Sequence, residues 1–344
     1  MEQTTNLDIK KAAKEILETI ERDREREIIA RRFGLYDRKE TLEQIGELLG
    51  ITRERVRQLE KAILIRLKIA AEKGELPHMQ EVEKEFIKQL SEMGRVARVS
   101  DLAEKVGDTG DERDRAHVAF LATLAPKLSV LDENDDYHQA VAIKEHYDEK
   151  TLRDRVSDIV KTIKTHGQPL TITQLHEKVS GYEHPDHVRA IASASKNLAN
   201  LKDQWGHIKW PLVNPKNIRD KIYVILQENE KPMHFSEISE KIKDSDFKRK
   251  DVTTQAIHNE LIKDARFVLI GRGIYALKEW GYSKGTVSDI ITKILKKSKE
   301  PMHRDDIVRE VLKSRQVKET TILLNLQGKP QFKRVAKATY ELAE

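Results

Sequence analysis

One pattern occurs four times along this chain, and it constrains the fold more than any other feature. A polar turn carrying an apolar pair leads into an amphipathic helical stretch, anchored on Leu or Ile with Val or Ile four residues later. It reads Gly94-Arg-Val-Ala-Arg-Val-Ser-Asp-Leu102-Ala-Glu-Lys-Val106 and Gln168-Pro-Leu-Thr-Ile-Thr-Gln-Leu175-His-Glu-Lys-Val179. The later copies are Lys231-Pro-Met-His-Phe-Ser-Glu-Ile238-Ser-Glu-Lys-Ile242 and Glu300-Pro-Met-His-Arg-Asp-Asp-Ile307-Val-Arg-Glu-Val311. The anchors Leu102, Leu175, Ile238 and Ile307 lie 73, 63 and 69 residues apart, a spacing that suits one small domain per repeat.

After each anchor comes a second helical stretch and then two short β-prone runs around a polar or glycine-containing turn. Phe267-Val-Leu-Ile-Gly271-Arg-Gly273-Ile-Tyr-Ala-Leu277 is the clearest hairpin, by its apolar flanks and its glycines. Residues 128–143 and 332–342 repeat the form, whereas the second copy offers only the irregular Trp205-Gly-His-Ile-Lys-Trp-Pro211. Helices followed by a hairpin is the order of a winged helix. The predicted fold class is therefore mainly α: a helix-turn-helix domain over 1–75, then an array of about four small winged-helix-like (α+β) domains. Their predicted bounds are 81–147, 151–213, 215–282 and 284–344.

Composition narrows the function classes. The 344 residues contain no cysteine, which excludes disulfides, cysteine-ligated metals and thiol chemistry and fits a reducing compartment. The start, Met1-Glu-Gln-Thr-Thr-Asn-Leu-Asp8, lacks the basic-then-apolar pattern of a signal peptide, and no apolar run reaches the roughly 18 residues that span a bilayer. The expectation is a cytoplasmic protein with no membrane partner. The net charge of +5 says little, but its distribution is uneven: residues 81–150 hold 10 basic against 17 acidic groups, and residues 284–344 hold 14 against 8. This distribution suggests that not every part of the chain faces the same partner.

The first eighty residues read as helical throughout. In Thr41-Leu-Glu-Gln-Ile45-Gly46-Glu-Leu-Leu49-Gly50-Ile51-Thr52-Arg-Glu-Arg-Val56-Arg-Gln-Leu59, Thr41 with Gln44 forms a capping box. Gly50 ends that helix at positive φ, Thr52 caps the next, and Gly46 permits a close approach between them. Ile45, Leu49, Ile51, Val56 and Leu59 share one apolar face. This is a helix-turn-helix.

If Arg53–Lys68 is a helix, Val56, Leu59, Ile63 and Leu67 form its buried side. Arg53, Glu54, Arg57, Gln58 and Lys61 then project outward from its first half. These are the groups that duplex reading requires: Arg donates to two acceptors on guanine, Glu accepts from the cytosine amino group, and Gln pairs with adenine. Thr52, Arg55 and the amides at the helix start suit phosphates. A charged run alone is ordinarily a solvated face; here cap, glycine and apolar register coincide, and the helix is expected to contact double-stranded DNA.

Arg26-Glu-Ile-Ile-Ala-Arg-Arg-Phe33-Gly34-Leu35, Thr41-Leu-Glu-Gln-Ile-Gly46 and Thr52-Arg-Glu-Arg-Val-Arg-Gln-Leu-Glu60 closely resemble region 4 of the sigma-70 family of bacterial RNA polymerase factors, over about residues 21–70. In that family the region binds the −35 promoter element and sits on the flap of the polymerase β subunit. The resemblance implies that Arg53, Glu54, Arg57 and Gln58 read bases, with Thr41, Leu42, Thr52 and Arg55 near phosphates. No segment resembles the aromatic-rich helix that melts the −10 element, so promoter opening by this chain alone is not expected.

Ile222-Tyr-Val-Ile-Leu226, Lys231-Pro-Met-His-Phe-Ser-Glu-Ile238, Val252-Thr-Thr-Gln-Ala-Ile-His-Asn-Glu-Leu261 and the hairpin at 267–277 resemble a HARE-type helix-turn-helix. That family includes the N-terminal domain of the RNA polymerase delta subunit and domains attached to chromatin proteins and DNA-modifying systems. In a winged-helix reading, Thr253, Thr254, Gln255, His258 and Asn259 lie on the exposed side of the third helix, with Arg272 at the hairpin tip. Protein docking and DNA contact remain equally open there.

The remaining repeats divide by charge. Asp132-Glu-Asn-Asp-Asp136 would repel phosphate, so the first repeat is expected to meet protein or nothing, whereas the lysines of the fourth suit duplex. No phosphate-binding loop, His-Glu-x-x-His or nuclease constellation is found, and His184-Pro-Asp-His187 reads as loop rather than metal site. The methionine-histidine pairs at 233–234 and 302–303 are repeat positions, suited to packing or capping. No enzymatic activity and no cofactor are expected. The leading expectation is a transcription factor. Its rivals are an adaptor, polymerase-associated or serving DNA modification, in which the helix-turn-helix units mainly contact protein.

Overall fold

The structure, a computed structural model, describes residues 8–249, 251–282 and 284–343. Its residues are mainly helical, with four small three-stranded antiparallel sheets among those described. The chain divides into two compact units, residues 1–208 and 209–344.

The first unit opens with four helices: α1 (Ile9–Glu18), α2 (Asp23–Phe33), α3 (Leu42–Leu49) and α4 (Arg53–Glu72). Asp8 caps α1, its carboxylate accepting from the Lys11 amide at 2.9 Å. Helix α2 ends at Gly34, whose φ of 80° a side chain rarely adopts and whose absent Cβ would lie 2.8 Å from the Lys39 nitrogen. The first repeat follows as α5 (Met79–Glu92), β1 (Val96–Arg98), α6 (Val99–Val106), α7 (Glu112–Leu124), β2 (Leu128–Leu131) and β3 (Ala140–Ile143). The second comprises α8 (Glu149–His166), β4 (Leu170–Thr171), α9 (Ile172–Lys178), α10 (Pro185–Ser193), β5 (Leu198–Leu201) and β6 (Gln204–His207).

In the other unit the third repeat runs α11 (Ile218–Asn229), β7 (Met233–His234), α12 (Phe235–Asp244), α13 (Thr254–Lys263), β8 (Phe267–Gly271) and β9 (Ile274–Leu277). The fourth runs α14 (Val287–Ser298), β10 (Met302–His303), α15 (Arg304–Ser314), α16 (Glu319–Gly328), β11 (Phe332–Ala336) and β12 (Thr339–Leu342). All four repeats share one topology: the last strand lies between the other two and is antiparallel to both. The anchors Leu102, Leu175, Ile238 and Ile307 are all fully buried, so the recurring sequence pattern marks the same core position each time.

The recurring methionine and histidine have separate tasks. Met233 and Met302 pair across the sheet with Tyr275 and Tyr340. His234 and His303 cap α12 and α15, each Nδ1 accepting the amide two residues on at 3.3 Å. His184 does the same for α10, at 3.2 Å from the Asp186 amide. The expected loop there is a helix start.

Two features differ from the sequence reading. The hairpin of the second repeat is not the irregular 205–211 stretch: it is β5 and β6, joined by Lys202 and Asp203 at φ 50° and 60°. That double positive φ is a tight hairpin turn normally signalled by Asn-Gly, and Lys-Asp hides it. In addition, the first 75 residues share a larger core with the first repeat, beside the small cluster of the helix-turn-helix itself. Ile16, Ile29, Ile63 and Leu67 share one apolar cluster with Phe86, Leu102, Phe120 and Val141, and Phe33 meets Phe120 edge to face at 5.2 Å. Helix α7, third in the first repeat, is buried along most of its length against the preceding helices.

The second repeat is held against the first on two sides. A Cβ at Gly94 would lie 2.5 Å from the Asp186 carbonyl oxygen, so that glycine admits α10 against β1. The acidic turn closes the other side: Glu133 pairs with Lys196 at 2.7 Å, Asn197 donates to Asp136 at 2.9 Å, and two backbone bonds join 136–138 to 194–196. The partner of the acidic turn is the chain's own next repeat. In the other unit, Gln316 donates its amide to the Ile270 oxygen at 3.0 Å and Arg315 donates to Leu269, covering part of the β8 edge.

Candidate nucleic-acid interface

The helix-turn-helix has its own small core of Ile28, Ile45 and Val56, flanked by Leu42, Leu49, Ile51 and Leu59. The local chemistry explains its angle. The Gln44 amide donates to Thr41 Oγ1 at 3.2 Å and the Thr41 amide to Gln44 Oε1 at 2.9 Å, completing the capping box. Gly50 ends α3 at φ 61°, and Thr52 Oγ1 accepts the Arg55 amide at 3.2 Å to start α4. At Gly46 a Cβ would lie 2.7 Å from the Ile51 carbonyl oxygen, so only glycine lets the turn fold back this tightly.

Helix α4 is also fixed from behind. Glu25, buried on α2, takes Arg66 at 2.5 Å, and Arg32 reaches Glu60 at 3.2 Å. The hydrogen bond from Arg66 keeps Glu25 ionised, holding its carboxyl below the usual range against the opposing effect of burial. Arg31 bonds Glu40 at 2.7 Å, setting the approach to α3.

Thr41, Thr52, Arg53, Glu54, Arg55, Arg57, Gln58 and Lys61 are all exposed. Leu42 is half-buried against the small core, so what it offers a phosphate is the amide of the first helical turn. Glu54 is the hub of the exposed set: it accepts Arg57 through two bonds, at 2.8 and 2.7 Å, and Gln58 Nε2 at 3.2 Å. Hydrogen bonding from Arg57 pulls its pKa to about 2, and Arg57 is raised in turn. Arg55 donates to Gln58 at 3.4 Å and Arg53 to Glu43 at 3.4 Å. Glu54, Arg55, Arg57 and Gln58 thus form one hydrogen-bonded set on a capped helix, with Arg53 held apart on Glu43; these are the donor and acceptor types that base edges in a major groove accept. Arg38 and Lys39 are exposed just before Thr41.

In the third repeat the structure corrects part of the expectation. Gln255 and Asn259 are exposed, bonded to each other at 3.1 Å, and Arg272 is exposed at the hairpin turn. Thr253 is the cap of α13, accepting the Ala256 amide at 3.2 Å. Thr254 and His258 are half-buried rather than fully exposed. Thr254 lies 3.1 Å from Ser239 on α12, and the His258 ring sits 4.7 Å from Phe235 and 6.1 Å from Tyr275. One helical turn apart, they lie at the margin of the buried Ile257 and Leu261 stripe of α13, where the His258 imidazole packs against aromatic rings.

Among the described residues no group of three or more His, Asp or Glu is placed to hold a metal ion, and no helix is long and apolar enough to cross a membrane. Residues 22–68, well under half the chain, match the family described as Sigma-70, region 4. That module is a DNA-binding helix-turn-helix of the −35-recognition type, which gives this part of the chain a DNA-binding, transcription-related role and an association with RNA polymerase.

Proposed function

We propose that the chain is a non-enzymatic, cytoplasmic transcription factor whose α4 reads a −35-like promoter sequence in duplex DNA. The observation that carries this reading is the exposed set centred on Glu54, mounted on a doubly capped helix-turn-helix. Arg53, Glu54, Arg57 and Gln58 contact bases, while Thr41, Leu42, Thr52, Arg55 and Lys61 hold phosphates. The four repeats act as winged-helix units, the third of HARE type. Gln255, Asn259 and Arg272 form its available face. Promoter melting is left to another factor.

Polymerase association runs through the β flap in this reading. Its support is apolar exposure on α3 and α4: Leu48, Ile65 and Ile69 are about half exposed. The same residues favour a second reading, an adaptor that uses these helices mainly for protein contacts.

Selection of bound sequences from a random duplex pool tests the proposal. Enrichment of one −35-like motif by the full chain is expected. Recovery of random sequence, together with polymerase capture abolished by Ile65→Glu and Ile69→Glu, would favour the adaptor.

A further inference from the structure

Hairpins at equivalent positions of the first and fourth repeats differ in charge and in what they meet. The acidic turn of the first is closed onto the second repeat through Glu133 and Asp136. In the fourth, β11 and its surroundings carry Lys329, Lys333, Arg334 and Lys337, all exposed. Among the described residues none of these four forms an ion pair, although Arg334 Nε donates to the Ala336 oxygen at 3.2 Å where the strand bulges.

The carboxylates of this repeat are mostly engaged elsewhere. Asp305, Asp306 and Glu310 pair with Arg304, Arg309 and Lys313 along α15, and Asp289 closes the cap at Thr286. Glu341, opposite Lys333 in the sheet register, is the exception on the hairpin. A protein interface core is depleted in lysine, whereas phosphate is bound by just such unpaired cations.

We propose that the β11–β12 hairpin is a second DNA contact, holding the phosphate backbone of duplex without reading sequence. This rests on the reading of the chain as a duplex-DNA binder and adds to it a separate surface. The strand holds its cations on a paired scaffold, so less conformational freedom is lost on binding than in a disordered basic tail.

The test compares the full chain with the triple variant Lys333→Gln, Arg334→Gln, Lys337→Gln on random-sequence duplex DNA across a potassium chloride series. Each lost phosphate contact lowers the slope of log affinity against log salt by about 1, so the triple variant should lose roughly 2 to 3 in slope and at least about tenfold in low-salt affinity. The charge-retaining Lys333→Arg, Lys337→Arg variant should keep the slope, and circular dichroism should show both variants folded. Arg57→Ala, run in parallel, should alter sequence preference instead. Duplex binding by the wild type with an unchanged slope in the triple variant overturns the second contact alone. Absence of any duplex binding by the wild type overturns it together with the functional reading, and a loss confined to RNA overturns it as well.

Discussion

Glu54 and Arg57 lie one helical turn apart on α4 and face each other with both guanidinium donors on the carboxylate, at 2.8 and 2.7 Å. An exposed pair of this kind contributes little to stability. Its consequence is positional: each side chain holds the other in one arrangement above the helix surface, so less side-chain freedom remains to be lost if a ligand binds there.

The pair predicts an asymmetry for Glu54→Gln. Losing the carboxylate acceptor should reduce discrimination at one base pair by about 1 to 3 kcal/mol. Binding to random duplex should strengthen, because a negative charge leaves a phosphate-facing surface. Fluorescence anisotropy on matched and scrambled duplexes measures both.

Titration gives an independent check. The folded-state pKa of Glu54 is depressed from 4.5 to about 2 by the bonds from Arg57. The linked stabilisation is therefore complete above the unfolded value and is lost as pH falls through about 2, so Glu54 adds no pH dependence to binding between roughly pH 6 and 8. Carboxyl chemical shifts should show the low midpoint; an unshifted one would mean the pair is not made.

Gly46→Ala should loosen the helix-turn-helix itself. The new methyl would meet the Ile51 carbonyl oxygen at 2.7 Å. Overpacking of this kind typically costs about 1 to 3 kcal/mol, visible as a lower thermal midpoint together with weaker duplex binding.

Phe120→Ala tests the shared core. Phe120 is fully buried and touches Phe33 of α2, so its loss should cost about 3 to 5 kcal/mol and weaken DNA binding from outside the DNA surface. A single melting transition covering residues 8–143 is expected by differential scanning calorimetry. Independent melting of the first 75 residues would contradict a common core.

Glu133→Gln should have a modest effect. It removes the pair with Lys196, worth about 0 to 1 kcal/mol at a surface, and leaves the backbone bonds at His138 and Lys196 in place. Hydrogen exchange should show both amides still protected.

What the sequence disclosed follows from the range of the interactions involved. Capping by Thr41 and Thr52 and the turn at Gly50 depend on neighbours within four residues, and these were readable directly. The anchor leucines and isoleucines were readable because four copies of one pattern reinforce each other. The packing of α7 under α2 and α4 was not, since it joins residues nearly ninety positions apart through apolar groups with no local signature. The partial burial of Thr254 and His258 is hidden for a related reason: how far a margin position of a helix faces water depends on the groups opposite, here Ser239 for the one and the Phe235 and Tyr275 rings for the other. Charge marks the acidic turn at 132–136 as unsuited to DNA, but does not name the second repeat as its partner.

The most direct measurement is the affinity of Arg57→Ala and Gln58→Ala chains for a selected −35-like duplex and for a scrambled one, at fixed salt. Base readout predicts that each variant loses about 1 to 3 kcal/mol on the selected duplex while affinity for the scrambled one changes far less. Equal losses on both duplexes would contradict readout by α4.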